Sequence, residues 1–274
     1  MIKGLQMTEE VLKRIKQLPP LPETAMQIEE VYQNPDSTFQ DMVKIIEKDP
    51  LLTADILKAA NSPLYGFSRE INSISQATGL FGMGTIRGFA LASIVKKSFT
   101  LDLSPYGLTD ATFAELSKKE HALTTAWCLR KENPLMGVLS PAAFLVEIGK
   151  VIIAQVIKDS KKDEEFKDTL KELNNDSDAA ELEVVGMATP KVSAEIFEHW
   201  RFEENLIDVL SASTSPKDAK NDKNKRAAAI LQVVRTTISF NATINDDNIK
   251  KAKALIKEHG LDMESYENAI EAAK

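Results

Sequence analysis

The chain is poor in the residues from which several kinds of chemistry are built. Cys128 is the single cysteine among 274 residues. No intramolecular disulfide and no cysteine-rich zinc site can form, and a reducing compartment, the cytoplasm, fits best. There are three histidines, His121, His199 and His259, no two close in sequence and none followed by aspartate. An imidazole-based metal site is thereby short of ligands. Positive charge is also the minority, with 34 basic against 41 acidic residues and a net charge of −7. Such a balance gives no long-range attraction to phosphate backbones or anionic lipid, so neither nucleic acid nor a membrane is the expected partner. Long apolar runs are missing as well. The stretch from Val151 to Ile157 is broken by Gln155 and flanked by Lys150 and Lys158, too short to span a bilayer. The residues from Met1 to Glu10 lack the apolar stretch of a signal peptide. The expectation is a soluble, cytoplasmic protein.

What the sequence has in quantity is helical periodicity. Phe39, Met42, Val43 and Ile46 fall on one helical face, behind a capping box expected at Ser37 and Gln40. Asp49-Pro50 reads as N-cap and first helical residue, since proline's missing N–H costs nothing there. Ser73 with Gln76 starts a short helix, Gly82-Met83-Gly84 breaks it, and Thr85 is expected to cap the next. Further helices are expected over about 110–131, from Ser140-Pro141 to about Lys158, and from Thr189-Pro190 onward. The charged stretch 159–180 suits a helix with solvated flanks. Residues 213–225 read as a loop, and two or three helices follow. With no strand hairpin, repeat or low-complexity tract, the fold class is all-α.

The stretch from Leu18 to Lys97 carries a resemblance. It opens Leu18-Pro19-Pro20-Leu21-Pro22 and continues through Asp49-Pro50 with Leu57. The turn Ala60-Asn61-Ser62-Pro63 with Tyr65-Gly66 follows, then the glycine-rich break before Ile86-Arg87. In that order these pieces closely resemble the N-terminal half of the HDOD domain, and the likeness extends more weakly to about Pro216. It implies a lead-in over 1–10, an HDOD-like helical unit over 11–216, and a C-terminal helical extension over 217–274 that can share its core.

HDOD domains are similar to the HD phosphohydrolases, whose clustered His and Asp ligands hold a divalent metal that activates water and polarises a phosphoryl oxygen. Carried over by position, the resemblance places the family's first His at His121 and the His-Asp pair at Val146-Glu147, just before Ile148-Gly149-Lys150. A later His falls at Thr189, and a further pair falls at Ser213-Thr214. Of that set only His121 and Glu147 keep a ligating side chain, so no metal or other cofactor is expected. Glu147 within an apolar helix needs a partner, with Lys150 at i+3 or His121 available. His121 reads more readily as a core histidine than as a pH switch, and Cys128, Trp127 and Trp200 as core residues. The Gly-split helices over 73–97 look like a helix-turn-helix, but the second offers only Arg87, Lys96 and Lys97 for base contacts.

The function these features imply is a non-enzymatic regulator or scaffold of bacterial signal transduction that works by binding another, unidentified signalling protein. A homo-oligomer stays open. Tyr65 and Phe67, aromatic residues on an expected loop, are the candidate partner-binding residues. Two other readings remain: a residual phosphohydrolase or nucleotide-binding protein, and a DNA-binding regulator.

Overall fold

A computed structural model describes residues 2–128 and 131–273. The N-terminal half comprises α1 (Ile2–Lys16), α2 (Glu23–Gln33), α3 (Phe39–Glu47), α4 (Pro50–Ala60), α5 (Ile74–Phe81) and α6 (Met83–Lys97). The middle of the chain contributes α7 (Asp110–Cys128), α8 (Met136–Leu145) and α9 (Gly149–Asp159). Then come α10 (Asp163–Glu172), α11 (Ser177–Val184), α12 (Thr189–His199) and α13 (Glu204–Ser211), and finally α14 (Asp222–Thr237), α15 (Asp246–Glu258) and α16 (Met263–Ala273). Among the described residues there is no strand; one isolated bridge joins Ile238 and Ile244. The all-α expectation holds.

The main apolar core reaches from Met7 and Val11 in α1 to Tyr266 and Ile270 in α16, with a small second cluster at Ala212, Ala219 and Ala228. Helix α1 runs straight through the division expected between residues 10 and 11 and buries Met7 on one side of it and Val11 and Ile15 on the other. The segment 217–274 adds Ile230, Val233 and Val234 to the same core. Trp127 and Trp200 are buried too, and each donates its indole N–H to a backbone carbonyl, of Asp262 and Pro19 respectively, at 2.9 Å.

Several boundaries differ from the sequence expectation, each for a local reason. The cap of α3 is Thr38 with Asp41, one residue later than Ser37 with Gln40. Asp41 accepts from Thr38 N at 3.0 Å, and its charge suits a helix N-terminus better than an amide would. Gly82, with φ +80°, makes the break between α5 and α6, so Thr85 lies inside α6, buried, and caps nothing. The expected loop over 213–225 contains two 3-10 turns and gives way to α14 at Asp222. Helix α7 is described to Cys128; the expected continuation through 129–130 lies outside the described residues.

The largest difference is at Pro141, which sits inside α8 and does not open a helix. A proline there cannot donate to the carbonyl four residues back. That carbonyl, of Gly137, instead accepts from Arg87 Nη1 at 3.2 Å. Arg87 is fully buried and also donates to both carboxylate oxygens of Glu29 (2.6 and 2.7 Å) and to Glu203 (2.8 Å), over the face of Tyr32. Small residues allow this approach: a side chain at Gly88 would collide with Ser140 on α8. Of the three basic residues on α6, Arg87 is therefore inside the protein, while Lys96 and Lys97 are exposed. Among the described residues one stretch, 133–159, is long and apolar enough to cross a membrane, and 94% of its most apolar window is buried in the core.

Candidate functional site

A 3-10 turn over Val146–Ile148 interrupts the apolar helical stretch between α8 and α9 and presents Glu147 to the inside of the fold. Four other helices direct charged groups toward it. From α14, Arg235 donates Nε to Glu147 Oε1 at 2.6 Å and both terminal nitrogens to the Asp178 carboxylate on α11 at 2.7 and 2.8 Å. From α9, Lys150 places Nζ 3.0 Å from Glu147 Oε2, as an ion pair lacking hydrogen-bond geometry. The same ammonium donates to Glu181 (3.0 Å), Ser177 (3.1 Å) and Thr189 Oγ1 (3.2 Å) and lies over the Tyr106 ring. Glu181 further accepts from Tyr106 Oη, Thr189 Oγ1 and the Thr189 backbone N–H. Glu120 on α7 completes the group; it is buried, and its Oε2 has no hydrogen-bond partner.

The electrostatics follow from burial against pairing. Burial pushes the Glu147 and Asp178 carboxyls up, but Arg235 reverses the sign and holds both below their usual range, with Lys150 assisting. Burial raises Glu120 well above the usual carboxylate range, and the charge of Glu147 adds to it. Glu181 is raised by burial despite Lys150 beside it. Lys150 and Arg235 are raised because the surrounding carboxylates outweigh their desolvation.

Glu120, Glu147, Asp178 and Arg235 of this group line a cleft of about 1230 Å³ between α7, α11, α14 and the start of α15. Of the residues expected at the site, Glu147, Ser213 and Thr214 line the cleft. Thr189 sits behind it, in the Lys150–Glu181 network. Val146 is buried and takes part only through its carbonyl, which accepts from Ser193 at 2.6 Å. His121 faces elsewhere. Its Nδ1 meets Tyr65 Oη at 2.6 Å, its Nε2 meets Ser140 Oγ at 2.8 Å, and its ring stacks on Phe144. Burial alone pushes its pKa down to about 3. Of the two partners offered for Glu147, Lys150 is present and His121 is not.

Tyr65 and Phe67 part company. Tyr65 is directed inward, edge-on to Phe81 and Phe89 with its hydroxyl on His121, so it is no exposed anchor. Phe67 remains 44% exposed, its ring edge-on to Phe81. The sequence reading missed Glu120, Asp178, Glu181 and Arg235. Nothing in their spacing joins them, since they come from α7, α11 and α14, brought together only by the fold.

The residues at this site do not suit a divalent metal. Among the described residues no three of His, Cys, Asp or Glu are grouped to hold one. The two carboxylates best placed, Glu147 and Asp178, are already neutralised by a guanidinium and an ammonium from the chain itself.

A model of the HDOD domain matches residues 18–216. Over 96% of its length the chain is 30% identical to a virulence factor from Campylobacter jejuni, covering 93% of that chain with a TM-score of 0.55. Two other solved structures share the fold at lower identity. A candidate phosphohydrolase from Shewanella amazonensis is 22% identical over 96% of this chain and 93% of its own (TM-score 0.66). A candidate signal transduction protein from Marinobacter aquaeolei is 21% identical over 99% of this chain and 63% of its own (TM-score 0.68). A stretch of 73 residues is 33% identical to an uncharacterized protein from Treponema pallidum, of which the chain spans 14% of the length.

Proposed function

The chain belongs to the HDOD domain family, and from that premise we propose that it is a regulatory protein of bacterial signal transduction, acting in the cytoplasm by binding another protein and not by hydrolysis. One observation carries the reading. The carboxylates at the family's site are matched by Lys150 and Arg235, so the positive charge that a metal would bring is supplied by side chains. An ammonium and a guanidinium have no open coordination position and cannot lower the pKa of a bound water as a metal does. The N-terminal half supplies a surface for a partner, with Leu64, Phe67 and Leu80 all exposed. Large exposed apolar side chains in one region are the usual anchors of such contacts.

The test has two parts. Purified protein is expected to carry no stoichiometric transition metal by elemental analysis and to hydrolyse neither phosphomonoesters nor phosphodiesters. About one metal per chain with turnover lost on chelation would overturn the proposal. Once a partner is in hand, Phe67→Ala is expected to leave thermal unfolding within about 1 kcal/mol of the parent and to weaken binding about tenfold.

A further inference from the structure

Two carboxylate oxygens of the buried charged group lack a hydrogen bond, Glu147 Oε2 and Glu120 Oε2; the first has the Lys150 ammonium 3.0 Å away, whereas Glu120 has no ion pair among the described residues. It is 1% exposed, lines the cleft, and leaves Oε2 without a donor. A buried acceptor left unmatched costs free energy, and a ligand that supplies the donor recovers it. The walls indicate which ligand. Their acids are Glu120, Glu147, Asp176, Asp178 and Asp247, and their bases are Arg235 and Lys251. Both bases already have acids beside them. Arg235 is spent on Glu147 and Asp178, and Lys251 pairs with Asp247 at 2.8 Å. A phosphate or nucleotide would find no unpaired cation among the described lining residues. Phe240 is the lone aromatic ring in that lining, so no aromatic cage for a quaternary ammonium is available. The rest of the wall is rich in neutral amides and hydroxyls, such as Asn175, Thr214 and Asn241, which suit a ligand with several N–H donors.

We propose that this cleft binds a small organic cation bearing N–H donors, a primary amine or guanidine compound, and that Glu120 receives its charged end. The cation meets the acid excess of the walls, and its N–H completes the Oε2 that the fold leaves open. Hydrogen-bonded charge in a partly enclosed site is the stronger kind of contact, so this one interaction should dominate specificity. The inference goes beyond the regulatory reading and stands apart from it, since a chain that binds amine but no protein, or protein but no amine, separates the two.

Isothermal titration calorimetry of the full chain with 1,4-diaminobutane and with agmatine tests it, using butane-1,4-diol and inorganic phosphate as neutral and anionic counterparts. Saturable binding of one amine per chain is expected, with the diol and phosphate at least about tenfold weaker. Glu120→Gln keeps the shape but cannot ionise to meet the incoming cation, and should weaken amine binding about tenfold or more. Glu164→Gln, on an exposed carboxylate of α10, should leave it unchanged and so excludes diffuse attraction to an acidic surface. If Glu120→Gln fails to fold, the amine–diol comparison on the parent decides, together with hydrogen-exchange protection over 174–178 and 238–245 on adding amine. Equal binding of diol and diamine, undiminished amine binding by folded Glu120→Gln, or no binding of either amine to about 10 mM would each overturn the proposal.

Discussion

His121 illustrates how a single residue's surroundings decide its role. It is enclosed by Phe144, Phe89 and Tyr65, with Tyr65 and Ser140 occupying its two nitrogens. Burial lowers its pKa to about 3, from 6.5 for an exposed imidazole. The neutral ring is therefore the native form, and only the unfolded chain takes up a proton between these values. The sign is fixed by linkage: stability attached to this group is complete above about pH 6.5 and is lost as pH falls toward 3. His121→Gln should cost about 1–3 kcal/mol near pH 7 through lost hydrogen bonds and packing. It should also flatten the fall of stability below pH 6.5, by up to about 1.4 kcal/mol per pH unit, in urea midpoints taken from pH 7 to 5. A mutant whose midpoints run parallel to the parent's would show that the imidazole is not held neutral. The residue scale was also the least legible in the sequence. Neighbours on a helix point about 100° apart, so Glu120 faces the cleft while His121 faces the aromatic cluster. Both are buried and adjacent in the same helix, and no pattern in the sequence distinguishes the two directions.

At the scale of elements, the sequence was more readable where one face is polar and less so where none is. The alternation in α3 and the Asp49-Pro50 start of α4 leave visible marks, and Asp49 does accept from Leu51 and Leu52 N–H groups. The apolar stretch 136–159 gives no such marks, because it is buried on nearly all sides and its periodicity vanishes. Hence the break at 146–148, which aims Glu147 inward, was invisible, and Pro141 looked like a beginning. Helix crossings were equally hidden, since they depend on which glycines meet which neighbours. At Gly149, an added Cβ would lie 2.5 Å from the Thr189 carbonyl and 2.9 Å from Ser193 N. Both are backbone atoms of α12 and cannot swing aside. Gly149→Ala should therefore force α9 and α12 apart and cost about 1–3 kcal/mol despite alanine's better helix propensity. A mutant as stable as the parent in chemical denaturation would mean the crossing is looser than this contact implies.

For the molecule as a whole, the decisive link joins the C-terminal helices to the rest. The family match ends at residue 216, yet Arg235, beyond it, is the partner of Glu147 and Asp178. Removing one member of a buried ionic group strands the others at a cost of about 3–5 kcal/mol. Arg235→Met is expected to lose that much near pH 7, measured by urea unfolding. Glu147 and Asp178 are held below their usual range by Arg235, so their contribution is present above the unfolded carboxylate values and disappears as pH falls through the lowered ones. The mutant's deficit should accordingly shrink in acid. Adding Glu147→Gln and Asp178→Asn should restore part of the loss at neutral pH, and no restoration would show that Arg235 matters by packing alone. By the same reasoning, a fragment ending at 216 should show helical circular dichroism without a cooperative thermal transition.

The lysine and arginine inside the site have a bearing on the cell as well as on the fold. A regulator whose central charges are balanced by a captured ion changes with the supply of that ion, and starvation or a chelator can strip it. Here the counter-charge is inherited with the chain, synthesised at fixed ratio and impossible to exchange. The charge balance of Glu147 and Asp178 is thus set by the sequence itself.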